Sequence, residues 1–436
     1  MMEIRDSDAD GQRDPPDFDP TPGMRSLVFA SGAVGALTFI PAAVALLRRI
    51  GARKTFAIAG MLSASATVLT PLAVRGGLAS FALARLVQGA SLSSLFPVIG
   101  GVSAGWSTLK YSGLFLSVIT SFVQLAPIFT VPVAGSLCVT EAGWPMAYYV
   151  HAMITVFFFT LWAVFFKDTP HGHRWITDVE IKKIMEGKPP MPSSPRPVPF
   201  RAILSSPTIW VIWLTALANF AGMQLFIIYM ANFISNYLGY TLRDSCLLAA
   251  LPPLVQFFTK IIAGILGDRQ YSFLSATSKV RVFNSVASIG SGAFLLGLVF
   301  VPPTERFWSI VLLMLSASFL GFNTSGLFRS PSLVARQHTH FVMTIIQVLL
   351  CVCLLGMPFV VELLTSLKSP RDWSLVFGAV AFFLIITNVL YCIFAKGSPA
   401  PWTVIKEQSP AKIHPTNDTL PPSTIVTVAD SNTLTN

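Results

Sequence analysis

The sequence predicts an all-α polytopic membrane protein, and three observations carry that reading. Hydrophobic residues make up 53% of the 436 positions, charged residues only 11%, and the mean hydropathy is +0.65. A soluble globular chain carries about 25% charge. The apolar residues fall in runs of about 20, the length a helix needs to cross the hydrocarbon core. Those runs do not alternate apolar with polar, as barrel strands do. The same composition excludes a disordered chain, since Phe alone numbers 34, and five Cys exclude a disulfide-stapled secreted domain.

The runs place eleven spans, at roughly 26–47, 54–74, 79–105, 112–135, 145–166, 207–230, 243–266, 280–301, 307–327, 340–365 and 373–395. Gly and Pro within them, Pro127, Pro132 and Pro358 among others, are tolerable where neighbouring helices satisfy the freed backbone groups. One long connection, 167–206, divides the spans into an N-terminal bundle of five (26–166) and a C-terminal bundle of six (207–395). The segment 1–25 is acidic, lacks the apolar stretch of a signal peptide and is expected to be disordered. The tail 396–436 is rich in Pro, Ser, Thr and Asn and is expected to be disordered as well.

Lys and Arg set the orientation. The connection 167–206 carries seven of them, from Lys167 to Arg201, and placing it in the cytoplasm fixes every other loop. Of the 30 basic residues, 20 then fall on the cytoplasmic side and 8 on the far side. The net charge of +10 is therefore a topology signal before it is anything else, and no nucleic-acid partner is implied. The N-terminus lies outside and the tail inside, so the sequon at Asn417 is expected to carry no glycan. Within the connection, Thr177-x-x-Glu180 is a capping-box pattern that opens a short helix through about Met185. His171 and His173 read as solvated loop histidines, because no third metal ligand is near.

Two basic residues remain, both inside spans: Arg85 and Lys260. A charge there costs about 2.5–3.5 kcal/mol on insertion scales and marks a cavity or a partner. Arg85 is the leading candidate to hold a carboxylate or phosphate bidentately, with pairing to a helix carbonyl end or snorkelling as the plainer reading. Lys260 lies eight residues before Asp268, about 12 Å along a helix, and is expected to snorkel toward the cytoplasm. Among polar residues in spans, Gln88 shares a helix face with Arg85, and Gln124, Asn219 and Gln224 are cavity candidates by position. Each of them serves equally to hydrogen-bond a neighbouring helix. No P-loop and no catalytic cluster is present, so neither ATP-driven transport nor an enzyme is indicated.

Several motifs taken together resemble the anion–cation symporter family of the major facilitator superfamily, which includes sodium/phosphate cotransporters, sialin and vesicular glutamate transporters. Arg85-Leu-Val-Gln-Gly89 followed by Pro97 is similar to that family's fourth-helix pattern. Gly143-Trp144-Pro145 with Tyr148-Tyr149 resembles its entry to the sixth helix. Pro170 with Ile176-Thr177-x-x-Glu180, Leu248-Ala-Ala-Leu-Pro252, Gly264-x-x-Gly-Asp268, Leu274 to Arg281 and Gly321 to Gly326 follow in the family's order. The similarity runs from about 28 to 395. It implies a major-facilitator-type two-bundle transporter, built from 3+3 inverted repeats. It also implies a gating role for Asp268 and Arg269 at the 8–9 junction, where the superfamily's Asp pairs with a basic residue.

The departures from the family matter for chemistry. The family has twelve helices, and the first similar segment here corresponds to the second. Loss of the first would open the substrate path on one side; an incomplete gene model, a splice form and a true eleven-helix protein stay open. The family carries a Glu seven residues after the fourth-helix Arg, where this sequence has Leu92. The 2–3 loop, Leu46 to Lys54, has basic residues but no acid. The resemblance thus implies a secondary transporter of small organic anions or phosphate, working by alternating access without the family's proton carboxylate. A non-transporting membrane protein derived from such a transporter is the alternative. A small anionic substrate and the lipid bilayer are the expected partners, the chain is expected to be a monomer, and no cofactor is expected beyond Na⁺ or H⁺ as coupling ion. Plasma membrane and vesicle or lysosome membrane both fit.

Overall fold

The computed structural model describes residues 22–108, 110–138, 140–186, 198–270, 274–302, 304–365 and 372–403. The tail sequon, the acidic stretch 1–21 and the proline cluster of the central connection lie outside them.

The chain opens on α1 (Pro22–Arg75), two helices broken at Gly51, where φ is 81° and ψ 173°. Only glycine adopts that conformation cheaply. The break turns one long apolar stretch into the first two expected spans. The first starts at Pro22, inside the segment expected to be disordered, with proline suited to an opening turn. Then come α2 (Leu78–Leu92) and α3 (Leu95–Trp106), which together make the third span. The fourth is α4 (Ser112–Ile119) plus α5 (Phe122–Cys138), and the fifth is α6 (Gly143–Phe165).

The central connection holds α7 (Asp178–Met185) and α8 (Phe200–Leu204). The capping box forms as its sequence dictates: Thr177 Oγ1 accepts from Glu180 N, and Glu180 accepts from Thr177 N. His173 is not simply solvated. Its ring meets Trp106 edge-on at 5.6 Å and Trp175 at 5.6 Å, anchoring the connection to the end of α3.

The C-terminal bundle starts with α9 (Pro207–Gln224), a turn of π-helix at Leu225–Tyr229, and α10 (Met230–Asn236). Next are α11 (Leu242–Ala249) and α12 (Leu251–Asp268), which part where Pro252 and Pro253 can donate no backbone bond. They are followed by α13 (Ala276–Val299), α14 (Arg306–Leu320), α15 (Ser330–Ala335), α16 (Thr339–Thr365) and α17 (Asp372–Phe394). Ten apolar stretches among the described residues are long enough to cross a membrane, and the first, broken at Gly51, supplies two crossings.

Burial sorts central from peripheral helices. Most residues of the apolar window within Pro207–Asn236 are buried, whereas almost none of those in α6 are. Small residues on α9, Ala216, Ala218, Ala221 and Gly222, let its neighbours approach closely. On α6, Phe157 and Phe158 are 59% and 60% exposed. In water such a surface would aggregate; in a bilayer it faces lipid tails.

Candidate functional site

A cavity of about 790 Å³ lies mainly within the N-terminal bundle and reaches Ile228 and Leu354 of the C-terminal bundle. Its walls come from α1 (Gly32, Ala33, Phe56, Ala59, Gly60, Ser63), from α2 and α3 (Arg85 to Val102), from Ile119 and Phe122, and from Phe159 and Trp162 of α6. Arg85 is the one charged residue among them.

Arg85 and Gln88 stand three residues apart on α2 and so share a face. Arg85 Nη1 donates to Gln88 Oε1 at 3.1 Å. Gln88 Nε2 in turn donates to Thr67 Oγ1 and Thr70 Oγ1, both at 3.2 Å. The two threonines on α1 therefore fix the amide with its oxygen toward the guanidinium. Gly89, one residue on, lies so close to the Gly32 carbonyl that a Cβ would not fit, which brings α1 hard against α2 behind the pair. Arg85 forms no ion pair among the described residues, so its charge is available to a ligand.

The structure does not bring the other polar candidates to this cavity. Gln124 is 3% exposed, and its Oε1 accepts from Lys260 Nζ at 3.1 Å. Asn219 is 2% exposed and accepts from Asn323 Nδ2 at 2.9 Å. Gln224 is 5% exposed. None of the three lines the cavity. Lys260 does not snorkel, contrary to the sequence expectation. It is 4% exposed, and its Nζ also donates to the Thr120 carbonyl at 2.9 Å, in the gap between α4 and α5.

Lys260 is one rung of a three-rung contact between α12 and the N-terminal bundle. Lys260, Gly264 and Asp268 recur every four residues and form one stripe along α12. Asp268 accepts from Gly113 N at 2.8 Å and Leu114 N at 2.7 Å, capping the start of α4. A Cβ on Gly264 would collide with Ser117. Lys260 then reaches Thr120 and Gln124. The rungs run antiparallel, 268 against 113–114, 264 against 117, 260 against 120–124.

The Asp268 carboxylate pairs with Arg329 at 3.2 Å, and the two side chains are 5% and 11% exposed. Asp268 thus meets a basic residue as the motif implies, and that residue is Arg329; Arg269 is exposed, and its carbonyl accepts from Lys279 Nζ at 2.7 Å. Asp268 and Arg329 are 61 positions apart, so spacing gave no signal of the pair. Asp168 was missed for the same reason. It supplies the acid that the 2–3 loop lacks, accepting from Arg53 N at 2.8 Å. Arg53 Nε donates to the Ala163 carbonyl at 2.7 Å, and Trp162 Nε1 donates to the Arg53 carbonyl at 3.2 Å. A Cβ at Gly51 would strike the Asp168 carboxylate, a second reason for glycine there. Elsewhere, Phe96 stacks on Phe328 at 6.1 Å and its backbone N–H donates to Gln347 Oε1 at 3.2 Å, joining the two bundles again.

Comparison with known proteins supplies the context. Residues 16–356 match the model of the Major Facilitator Superfamily. Human (Homo sapiens) sialin is 22% identical over 359 residues, covering 82% of this chain and 72% of sialin. Sodium-dependent phosphate transport protein 1 of Mus musculus is 25% identical over 398 residues, covering 89% of this chain and 83% of that protein. A probable small intestine urate exporter of Homo sapiens is 26% identical over 399 residues, covering 90% and 79%. Sialin and the phosphate transporter are of the kind that the sequence motifs resemble, and these relatives are transporters rather than enzymes. Among solved structures, the proton:xylose symporter XylE bound to 6-bromo-6-deoxy-D-glucose superposes with a TM-score of 0.67 at 11% identity, covering 86% of this chain and 87% of XylE. That likeness speaks to the fold.

Proposed function

The chain belongs to the Major Facilitator Superfamily, and from that premise we propose that this multi-pass membrane transport protein carries small organic anions by alternating access, with Arg85 as the anion-binding residue. The observation that carries the reading is a guanidinium without a carboxylate partner, lining an otherwise uncharged cavity. An unpaired charge is expensive in a low-dielectric interior, and a bound anion removes the expense. Gln88 holds the guanidinium's orientation and leaves its remaining donors for a bidentate contact.

The gate in this proposal is the α12 stripe. Closing one end of the path docks Asp268 on α4 and Lys260 on α5, and opening that end requires all three rungs to part together. Rigid-body rocking of one bundle against the other does this without unfolding either. Among the described residues no carboxylate lines the cavity, and Leu92 stands where the family carries its Glu. Coupling to Na⁺, or to H⁺ at another group, is part of the proposal and is read out by imposing each gradient in turn.

The test is uptake by purified protein in proteoliposomes. Saturable accumulation of an organic anion above empty vesicles supports the proposal. Absence of uptake for every anion and gradient tried would favour the non-transporting alternative.

A further inference from the structure

We infer that the Arg85 cavity takes an elongated amphipathic monoanion, one carboxylate or sulfonate on a long alkyl or aryl body, and discriminates against inorganic phosphate and dicarboxylates. The inference rests on the reading of this cavity as the substrate site. Three properties of the cavity carry it.

The first is charge. Among the described residues Arg85 is the only ionisable side chain on its walls, and its neighbour Gln88 is already committed to Thr67 and Thr70. A single cation neutralises a single negative charge. The second charge of a dicarboxylate or of hydrogen phosphate would enter a low-dielectric space that offers it no second cation, only the neutral hydroxyls of Ser63 and Ser91, and such a charge is strongly disfavoured.

The second is shape. Arg85 and Val102 both line the cavity and stand 17 positions apart on the α2–α3 stretch, so the cavity runs along these two helices. Its volume of about 790 Å³ is many times that of a compact anion. A compact tetrahedral anion would fill one end and leave the rest empty.

The third is what waits at the other end. Phe56, Phe159 and Trp162 form an edge-to-face trio there, with Phe56 centred 5.0 Å from Phe159 and 5.3 Å from Trp162. Arg53 and Asp168 clasp the chain just beneath it, with Trp162 itself hydrogen-bonded to Arg53, so the trio is held in place. The head of the ligand meets the guanidinium and its tail meets the aromatic trio.

Equilibrium binding to the full chain in nanodiscs tests the inference, with butane-, hexane- and octanesulfonate, 1-octanol, succinate and inorganic phosphate as probes. Sulfonates stay ionised and do not cross lipid as neutral acids. The expected result is tightening by about fourfold per methylene along the sulfonate series. Phosphate and succinate should bind at least tenfold more weakly than octanesulfonate, and Arg85→Met should reduce octanesulfonate to the level of 1-octanol. Trp162→Ala should weaken octanesulfonate several-fold and leave butanesulfonate unchanged. Succinate or phosphate binding as tightly as octanesulfonate, with both lost in Arg85→Met, would overturn the inference and leave the transport reading standing. Binding of no anion, together with no uptake of any, would remove both. Chain-length dependence that survives intact in both variants would place the ligand elsewhere, most simply in the lipid, and overturn the inference.

Discussion

At the scale of single residues, charge is what this chain rations: among the described residues Asp268 and Arg329 pair with each other, Lys260 donates to Thr120 and Gln124, and the half-buried Arg85 has the neutral Gln88 and no carboxylate. Its residue type and span position marked it in the sequence as a candidate; that it lines a cavity and meets Gln88 is seen only in the fold. Asp268 was legible as an acid at the 8–9 junction but its partner was not, since Arg329 is brought to it by the fold. Removing the acid should leave the Arg329 cation buried and unpaired, a defect of about 3–5 kcal/mol in the docked form. Asp268→Asn is therefore expected to raise amide hydrogen exchange at residues 113–119, while exchange in α9 stays as in the parent. The capping box offers a pH prediction. Hydrogen bonds from the Thr177 backbone and hydroxyl hold the Glu180 carboxyl below the ordinary glutamate range, with the nearby Lys183 charge adding in the same direction. A carboxylate lowered on folding stabilises the fold above its unfolded value, and that contribution fades as pH falls through the folded value. An NMR titration should find Glu180 ionising at lower pH than in Thr177→Ala, and the two midpoints coinciding would refute the cap.

At the scale of elements, α12 is the piece that couples the bundles. Its stripe of Lys260, Gly264 and Asp268, spaced four apart, was present in the sequence as a helical period. What it faced was not, because α4 and α5 lie more than 130 positions earlier. The broken fourth span explains the surprise at Lys260. The gap at Thr120 and Ser121 presents a carbonyl to the amine, and Gln124, one turn on, adds a second acceptor, so the side chain has no need to reach water. Lys260→Met keeps the volume and deletes both bonds. It should loosen the α5–α12 contact by about 1–3 kcal/mol and increase labelling of a cysteine placed at Ser121. Gly264→Val should act more severely, because its added carbons meet Ser117 and the Leu114 backbone. The expected phenotype is a protein that folds and binds anion but cannot dock α12 on α4, seen as transport lost with binding retained.

At the scale of the whole molecule, the fold was readable almost completely and the pocket only in part. The membrane-spanning helices and the helix α7 follow from apolar run length and one capping pattern, which are local properties. Cavity shape depends on how α1, α2, α3 and α6 lean together, and on where Gly51 and Gly60 let loops and rings press close. No single run of sequence contains that information. The polar residues Gln124 and Asn219 show the limit plainly. Both are buried in spans as expected, and both bond to another helix's side chain and do not line the cavity. The most direct test of Arg85 as the anion-binding residue of a transporter is the initial rate of organic-anion uptake into proteoliposomes, compared between the parent, Arg85→Lys and Arg85→Met. A charge-assisted bidentate contact worth about 1.5–3 kcal/mol predicts a loss of about 10- to 100-fold in Arg85→Met and an intermediate rate in Arg85→Lys. Uptake by Arg85→Met at the parental rate would contradict it.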